Sequence, residues 1–170
     1  MGGGVVCDVA DSRAVADLFG DWKAKFDRLD GLVHCAGITQ DRVLWKMEDD
    51  AWSRVLQVNL DSAFYLLRSA APLMREQGAG AVVLVSSING ERGRFGQANY
   101  TASKAGLIGL GRTAARELGL EPGRGRAHGL EVQFRREVID LVAQQRRAHR
   151  HGAPQRLLTI APVVILPERR

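Results

Sequence analysis

A chain of 170 residues, 45% hydrophobic and carrying a net charge of +5, is long enough to bury a core and falls within the size of an ordinary single domain. No stretch reaches the apolar length of a membrane span, and Met1-Gly2-Gly3-Gly4 has neither a basic nor an apolar leader segment, so a cytoplasmic protein is expected. The two cysteines, Cys7 and Cys35, fall in expected strands, where a thiol acts as a small buried hydrophobe; they suggest neither a disulfide framework nor a metal site.

From the N-terminus, Val5-Val6-Cys7 reads as a short strand. Val15, Leu18, Phe19, Trp22 and Phe26 then recur at helical spacing and predict an amphipathic helix from about Ser12 to Phe26, capped by Asp11 or Ser12. Gly31-Leu32-Val33-His34-Cys35 is the next strand, with His34 expected to be partly buried rather than a ligand, and a loop follows from Gly37 to Met47. A long helical stretch from about Glu48 to Gln77 carries Trp52, Leu56, Leu60, Phe64 and Leu67 on or near one face, an apolar stripe that reads as core. Ala79-Gly80 ends it. The run Ala81-Val82-Val83-Leu84-Val85 is short, β-branched and shaped like a buried parallel strand, and the last helix of this part runs from about Gly96 to Leu118. Alternation of strand and helix predicts a right-handed, mostly parallel α/β sheet with flanking helices.

The chemistry-bearing residues gather around that last strand and helix. Tyr100 stands thirteen positions after Ser87, and Lys104 four after Tyr100. Residues four apart on a helix project from one face, so the Lys104 ammonium can sit beside the Tyr100 phenol and favour its ionised form. Strand ends in open α/β sheets are where ligands bind. A hydroxyl at that edge, Ser87, can hold a substrate oxygen while the phenol protonates it, which suits carbonyl reduction or alcohol oxidation. Taken alone, each of these residues has a plainer reading: Tyr-x-x-x-Lys as an exposed helix face, Asn59 as a tolerated mid-helix polar group, Asp8 and Asp11 as turn or cap residues.

Together, Ser87, the Gly96-Gln97-Ala98-Asn99-Tyr100 approach, Lys104 and Asn59 in Leu56-Gln57-Val58-Asn59-Leu60 resemble the short-chain dehydrogenase/reductase family. Within it, residues 5–118 are most similar to the 3-oxoacyl-(acyl-carrier-protein) reductase and acetoacetyl-CoA reductase branch. The resemblance implies a Rossmann-like sheet, NADP or NAD as cofactor with NADPH favoured, and a small-molecule or acyl-thioester substrate. It implies Ser87 as the residue that orients the carbonyl and Tyr100 as general acid/base. Lys104 would lower the Tyr100 pKa and hold the nicotinamide ribose, and Asn59 would anchor a water in the proton relay. Cys35-Ala36-Gly37, after His34, stand where the family carries Asn-Asn-Ala-Gly against the cofactor, and Asp8-Val9 match the strand-end aspartate that meets the adenine. A homo-oligomer through the long helices is implied by analogy.

Two departures from the family pattern stand out. No strand, Gly-rich turn and helix precede Val5, and Gly2-Gly3-Gly4 does not fit the family's Thr-Gly-x-x-x-Gly-x-Gly turn, so the chain reads as if the first β-α-β cofactor-binding unit were missing. The absent strands would lie between Val5-Cys7 and Leu32-Cys35, and the expectation is that the first strand docks directly, detaches, or leaves an edge for another chain to cover.

The second departure begins near Gly119. Residues 1–120 hold fourteen basic and fourteen acidic side chains, whereas residues 121–170 hold ten arginines, no lysine and five acids, so the whole net charge lies there. The expected division is a partial dehydrogenase domain over 1–120 and a divergent Arg-rich segment over 121–170. In the latter, Val132, Val138, Ile139 and Val142 suggest an amphipathic helix, Arg146 to His151 form a basic run, and Leu157 to Leu166 reads as a strand that Pro162 limits to an edge or two short pieces. An acidic partner or nucleic acid is a competing target for the arginines, but Phe134 is the sole aromatic there and no nucleic-acid motif is present. A third reading is a catalytically impaired fragment acting through subunit association.

Overall fold

The structure, a computed structural model, describes residues 5–118 and the strand Val164–Leu166. The expected helix over 132–142, the basic run and the rest of the Arg-rich segment lie outside the described residues.

Helix α1, Ser12–Lys25, starts at Asp11, whose carboxylate accepts from the amides of Arg13 (2.8 Å) and Ala14 (3.4 Å) and so satisfies two of the donors a helix start leaves open. Its buried face is Val15 and Phe19. Beyond it, the Trp22 and Phe26 rings meet with centroids 4.4 Å apart, and the Trp22 indole N–H donates to the Arg28 carbonyl.

Strand β1, Gly31–His34, is followed by a loop with one 3-10 turn, Leu44–Lys46, and then by a helical crossover. The crossover is the predicted long helix in three parts: α2, Asp49–Leu56; a π-helical turn, Gln57–Asp61; and α3, Ser62–Gln77. Gly78 closes α3 in the left-handed region, with φ of 67°. The Gln77 side chain accepts from the Leu29 amide (3.0 Å) and donates to the Leu29 carbonyl (2.7 Å), which clamps the end of α3 to the entry of β1. Strand β2, Ala81–Leu84, then pairs in parallel with β1, Leu32 opposite Val82 and His34 opposite Leu84. A short turn of helix, α4, Asn89–Arg92, leads to α5, Ala98–Glu117.

The α/β class therefore holds, with a β-α-β crossover at its centre. The sheet order is β2-β1-β3, where β3, Val164–Leu166, runs antiparallel to β1. This decides the fate of the expected first strand. Val5, Val6 and Cys7 form no strand; Val5 and Val6 are fully solvent-exposed or nearly so. A strand needs a partner edge for its amides and carbonyls, and both edges of β1 are taken, one by β2 and the other by β3.

The core lies between the sheet and the helices: Val15 and Phe19 of α1, Leu29 and Leu32 around β1, Leu66 of α3, Leu84 of β2 and Leu107 of α5. Each fully buried leucine stabilises the fold by roughly 2 kcal/mol relative to exposure. His34, expected to be partly buried, is fully enclosed. Among the described residues no helix is long and apolar enough to cross a membrane.

Candidate active site

The C-terminal ends of β1 and β2, the π-turn and the first turns of α5 meet around Lys104. Its stem is buried, with 4% of the residue exposed, and its Nζ donates to the Val85 carbonyl at 2.8 Å, just past β2. Among the described residues no salt bridge joins it to a carboxylate. Burial disfavours the charged form, so its pKa falls from 10.5 to about 8, with nearby Cys35 acting weakly in the opposite direction. The same proximity leaves Cys35 raised by its own burial and lowered by Lys104.

Backbone packing fixes α5 against the segment after β2. Ser86 Oγ donates to the Lys104 carbonyl at 2.7 Å. A Cβ added at Gly90 would stand 2.9 Å from the backbone of Lys104 and Ala105, so only glycine allows this approach. Ser87 lies in the turn between them, its Oγ accepting from the Asn89 amide at 3.2 Å. One helical turn before Lys104, the Tyr100 ring centroid is 5.8 Å from Nζ.

Asn59 completes the cluster. A mid-helix asparagine is ordinarily a weak point, yet here it sits on the π-turn, fully buried, with every side-chain group used. Its Oδ1 accepts from the Ile38 amide (2.7 Å), and its Nδ2 donates to the Ile38 carbonyl (3.0 Å) and to Ser103 Oγ (3.0 Å). Ser103 in turn donates to the Tyr100 carbonyl at 2.8 Å. Isolated π-turns are commonly found at functional sites. Gly37 lies over this group: a Cβ there would be 3.4 Å from Lys104 Nζ and 3.5 Å from Asn59 Oδ1. Glycine leaves the face above the ammonium open.

Asn59, Gly37, Lys104 and Tyr100 are thus brought together, Cys35 and Ala36 border them just past the end of β1, and Ser87 stands on the segment that Lys104 grips. Asp8 and Val9 are placed differently. Val9 is buried in the core, while Asp8 is exposed and its carboxylate accepts from the Ala10 amide at 3.0 Å in a local turn.

Several supporting residues escape a reading of spacing alone. The buried Gln97 donates to both carboxylate oxygens of Asp41 and accepts from Asn89, while Arg42 N–H donates to the Gly96 carbonyl, so the loop after β1 is bonded to the entry of α5. Asn99, also buried, donates to the carbonyls of Gln40 and Ala51 and accepts from the Tyr100 amide. In the sequence Gln97 and Asn99 stand out only as part of the Gly96-Gln97-Ala98-Asn99 approach to Tyr100, which gives neither residue its partner. A groove between α3 and α5, lined by Phe64, Arg68, Pro72, Leu110 and Ala114, shares no residue with the Lys104 cluster.

A parallel β-α-β crossover with a buried lysine, a neighbouring tyrosine and a glycine-cleared face at the strand ends is an open α/β arrangement of the kind that binds ligands beyond its strand ends. The short-chain dehydrogenase family model matches residues 3–121, and the chain belongs to that family. It is 38% identical over 117 residues to the 3-oxoacyl-[acyl-carrier-protein] reductase FabG of Salmonella typhimurium, covering 69% of this chain and 48% of the relative. It is 46% identical over 114 residues to human (3R)-3-hydroxyacyl-CoA dehydrogenase (66% and 44%) and 42% identical over 114 residues to FabG of Staphylococcus aureus (67% and 46%). The chain spans less than half the length of these curated relatives.

Proposed function

We propose that this chain carries the proton-transfer centre of an NAD(P)-dependent oxidoreductase that interconverts a ketone and an alcohol on a 3-oxoacyl or 3-hydroxyacyl thioester. The observation that carries the reading is the convergence of Lys104, Tyr100, Asn59 and Gly37 at the strand ends. The similarity to reductases and dehydrogenases of acyl thioesters supports the substrate class.

The residues at the strand ends fit a nicotinamide ribose: Gly37 leaves space above Lys104, whose ammonium would hold it, with Ala36 and Cys35 alongside. The bound nicotinamide would supply hydride to the carbonyl carbon. Ser87 orients the carbonyl oxygen, and Tyr100 gives that oxygen its proton, so that the alkoxide charge never builds fully. A nearby cation stabilises the phenolate left behind, and the Val85 carbonyl holds Lys104 in reach. Asn59, its side chain fully bonded to Ile38 and Ser103, keeps the Ile38 backbone and the Ser103 hydroxyl in place beneath Tyr100.

The test is titration of the purified chain with NADPH and NADH, followed by nicotinamide fluorescence, together with an assay of acetoacetyl-CoA reduction. Saturable binding with turnover supports the proposal. Absence of both at millimolar cofactor removes it and favours a second reading, association with another subunit through the α3 and α5 face, where Phe64 is 45% exposed beside the apolar groove.

A further inference from the structure

The π-turn that carries Asn59 has a support on which the proposed chemistry does not draw. The Ser62 amide reaches back five residues to the Gln57 carbonyl. In a regular α-helix that amide would go to Val58; here the Val58 carbonyl is met by the Ser62 hydroxyl instead, at 2.6 Å. That bond uses the only hydrogen the hydroxyl has. The 2.8 Å contact between Ser62 Oγ and His34 Nε2 must therefore run with His34 donating, which puts the imidazole proton on Nε2. Both side chains are fully buried, and Nδ1 has no hydrogen-bond partner among the described residues.

The segment from His34 to Ile38 is consequently bonded to the π-turn at two points. His34 meets Ser62 at one end and Ile38 meets Asn59 at the other. We infer that His34 and Ser62 form a buried donor chain, from His34 Nε2–H through the Ser62 hydroxyl to the Val58 carbonyl, that holds the register of the π-turn and so positions Asn59 under Ile38. His34 and Ser62 are positioning residues: they touch neither Lys104 Nζ nor Tyr100 by hydrogen bond. The inference rests on the proposed function only for the role of Asn59, and its test reads placement without turnover.

Amide hydrogen exchange is measured on the intact chain, on Ser62→Ala, and on Val82→Ala, which loosens the sheet without touching the donor chain. The Ile38 amide reports on Asn59, and the Ala81 amide, bonded to the Asp30 carbonyl at the far end of the strand pair, serves as reference. Ser62→Ala is expected to accelerate exchange at Ile38 roughly tenfold more than at Ala81, whereas Val82→Ala moves the two alike. Equal acceleration in Ser62→Ala, or none, overturns the inference. Nitrogen-15 spectra of the unsubstituted chain provide a measurement that needs no variant: His34 is expected as the Nε2–H tautomer at neutral pH, and an Nδ1–H tautomer also overturns it.

Discussion

Lys104 Nζ donates to the Val85 carbonyl at 2.8 Å, and through this bond the helix bearing Tyr100 is tied to the end of β2. The ammonium is buried with a neutral acceptor and no counter-ion among the described residues, so its position is held at the expense of its charge. That balance of burial against charge governs much of what can be measured on this chain.

Lys104 titrates at about 8 when folded against 10.5 when exposed. Between these values the unfolded chain binds more protons than the folded one, so stability rises as pH increases from about 8 toward 10.5 and the penalty is fully present below 8. The difference corresponds to roughly 3 kcal/mol. Cys35, whose thiol is raised by burial, acts in the opposite sense above its unfolded pKa. Urea unfolding across this window should show a rising Lys104 contribution when Lys104→Met is subtracted from the parent; a flat difference would contradict the burial argument.

His34 behaves similarly at acid pH. Burial first, and Lys104 second, lower its pKa from 6.5 to about 3. The folded chain refuses a proton that the unfolded chain takes, so the His34 contribution to stability is complete above pH 6.5 and is lost as pH falls toward 3. His34→Gln should flatten the acid limb of the stability curve. The His34 ring resonances should stay in the neutral form at pH 5, where an exposed histidine is protonated.

Tyr100→Phe removes a hydroxyl that bonds to no other described group. Stability should change by less than about 0.5 kcal/mol, with the far-UV circular dichroism retained. Any NAD(P)H-dependent turnover should fall roughly a hundredfold or more. Turnover kept at the parent level would reject Tyr100 as the proton donor.

Glycines of α4 and α5 provide a test of packing. A methyl group at Gly90 meets the backbone of Lys104 and Ala105 at 2.9 Å, whereas at Gly109 nothing lies within 4 Å. Gly90→Ala should cost about 1 to 3 kcal/mol through overpacking, and Gly109→Ala should gain up to about 1 kcal/mol of helix propensity. Thermal melts that rank the two in the reverse order would refute the close approach of α4 to α5.

Much of the arrangement was legible beforehand where the signal is local. The α1 helix begins at Asp11 and ends one residue short of the expected Phe26, because capping chemistry and apolar spacing act within a few residues. Strands β1 and β2 fall on the two apolar runs, each a residue shorter than expected. The Tyr100 to Lys104 pairing follows from helical geometry alone, and the residues around Asn59 were identified through family resemblance rather than spacing.

What the residues determined by themselves, then, is the order of helices and strands and which side chains share a helical face, since those depend on neighbours along the chain. Tertiary structure decided the rest. It broke the long helix with a π-turn at Asn59, enclosed His34 against Ser62, bonded Gln97 to Asp41, and gave the β1 edge to Val164–Leu166 rather than to Val5–Cys7. Each of these pairs groups far apart in the chain, whose buried donors and acceptors can be satisfied only by what folding brings beside them.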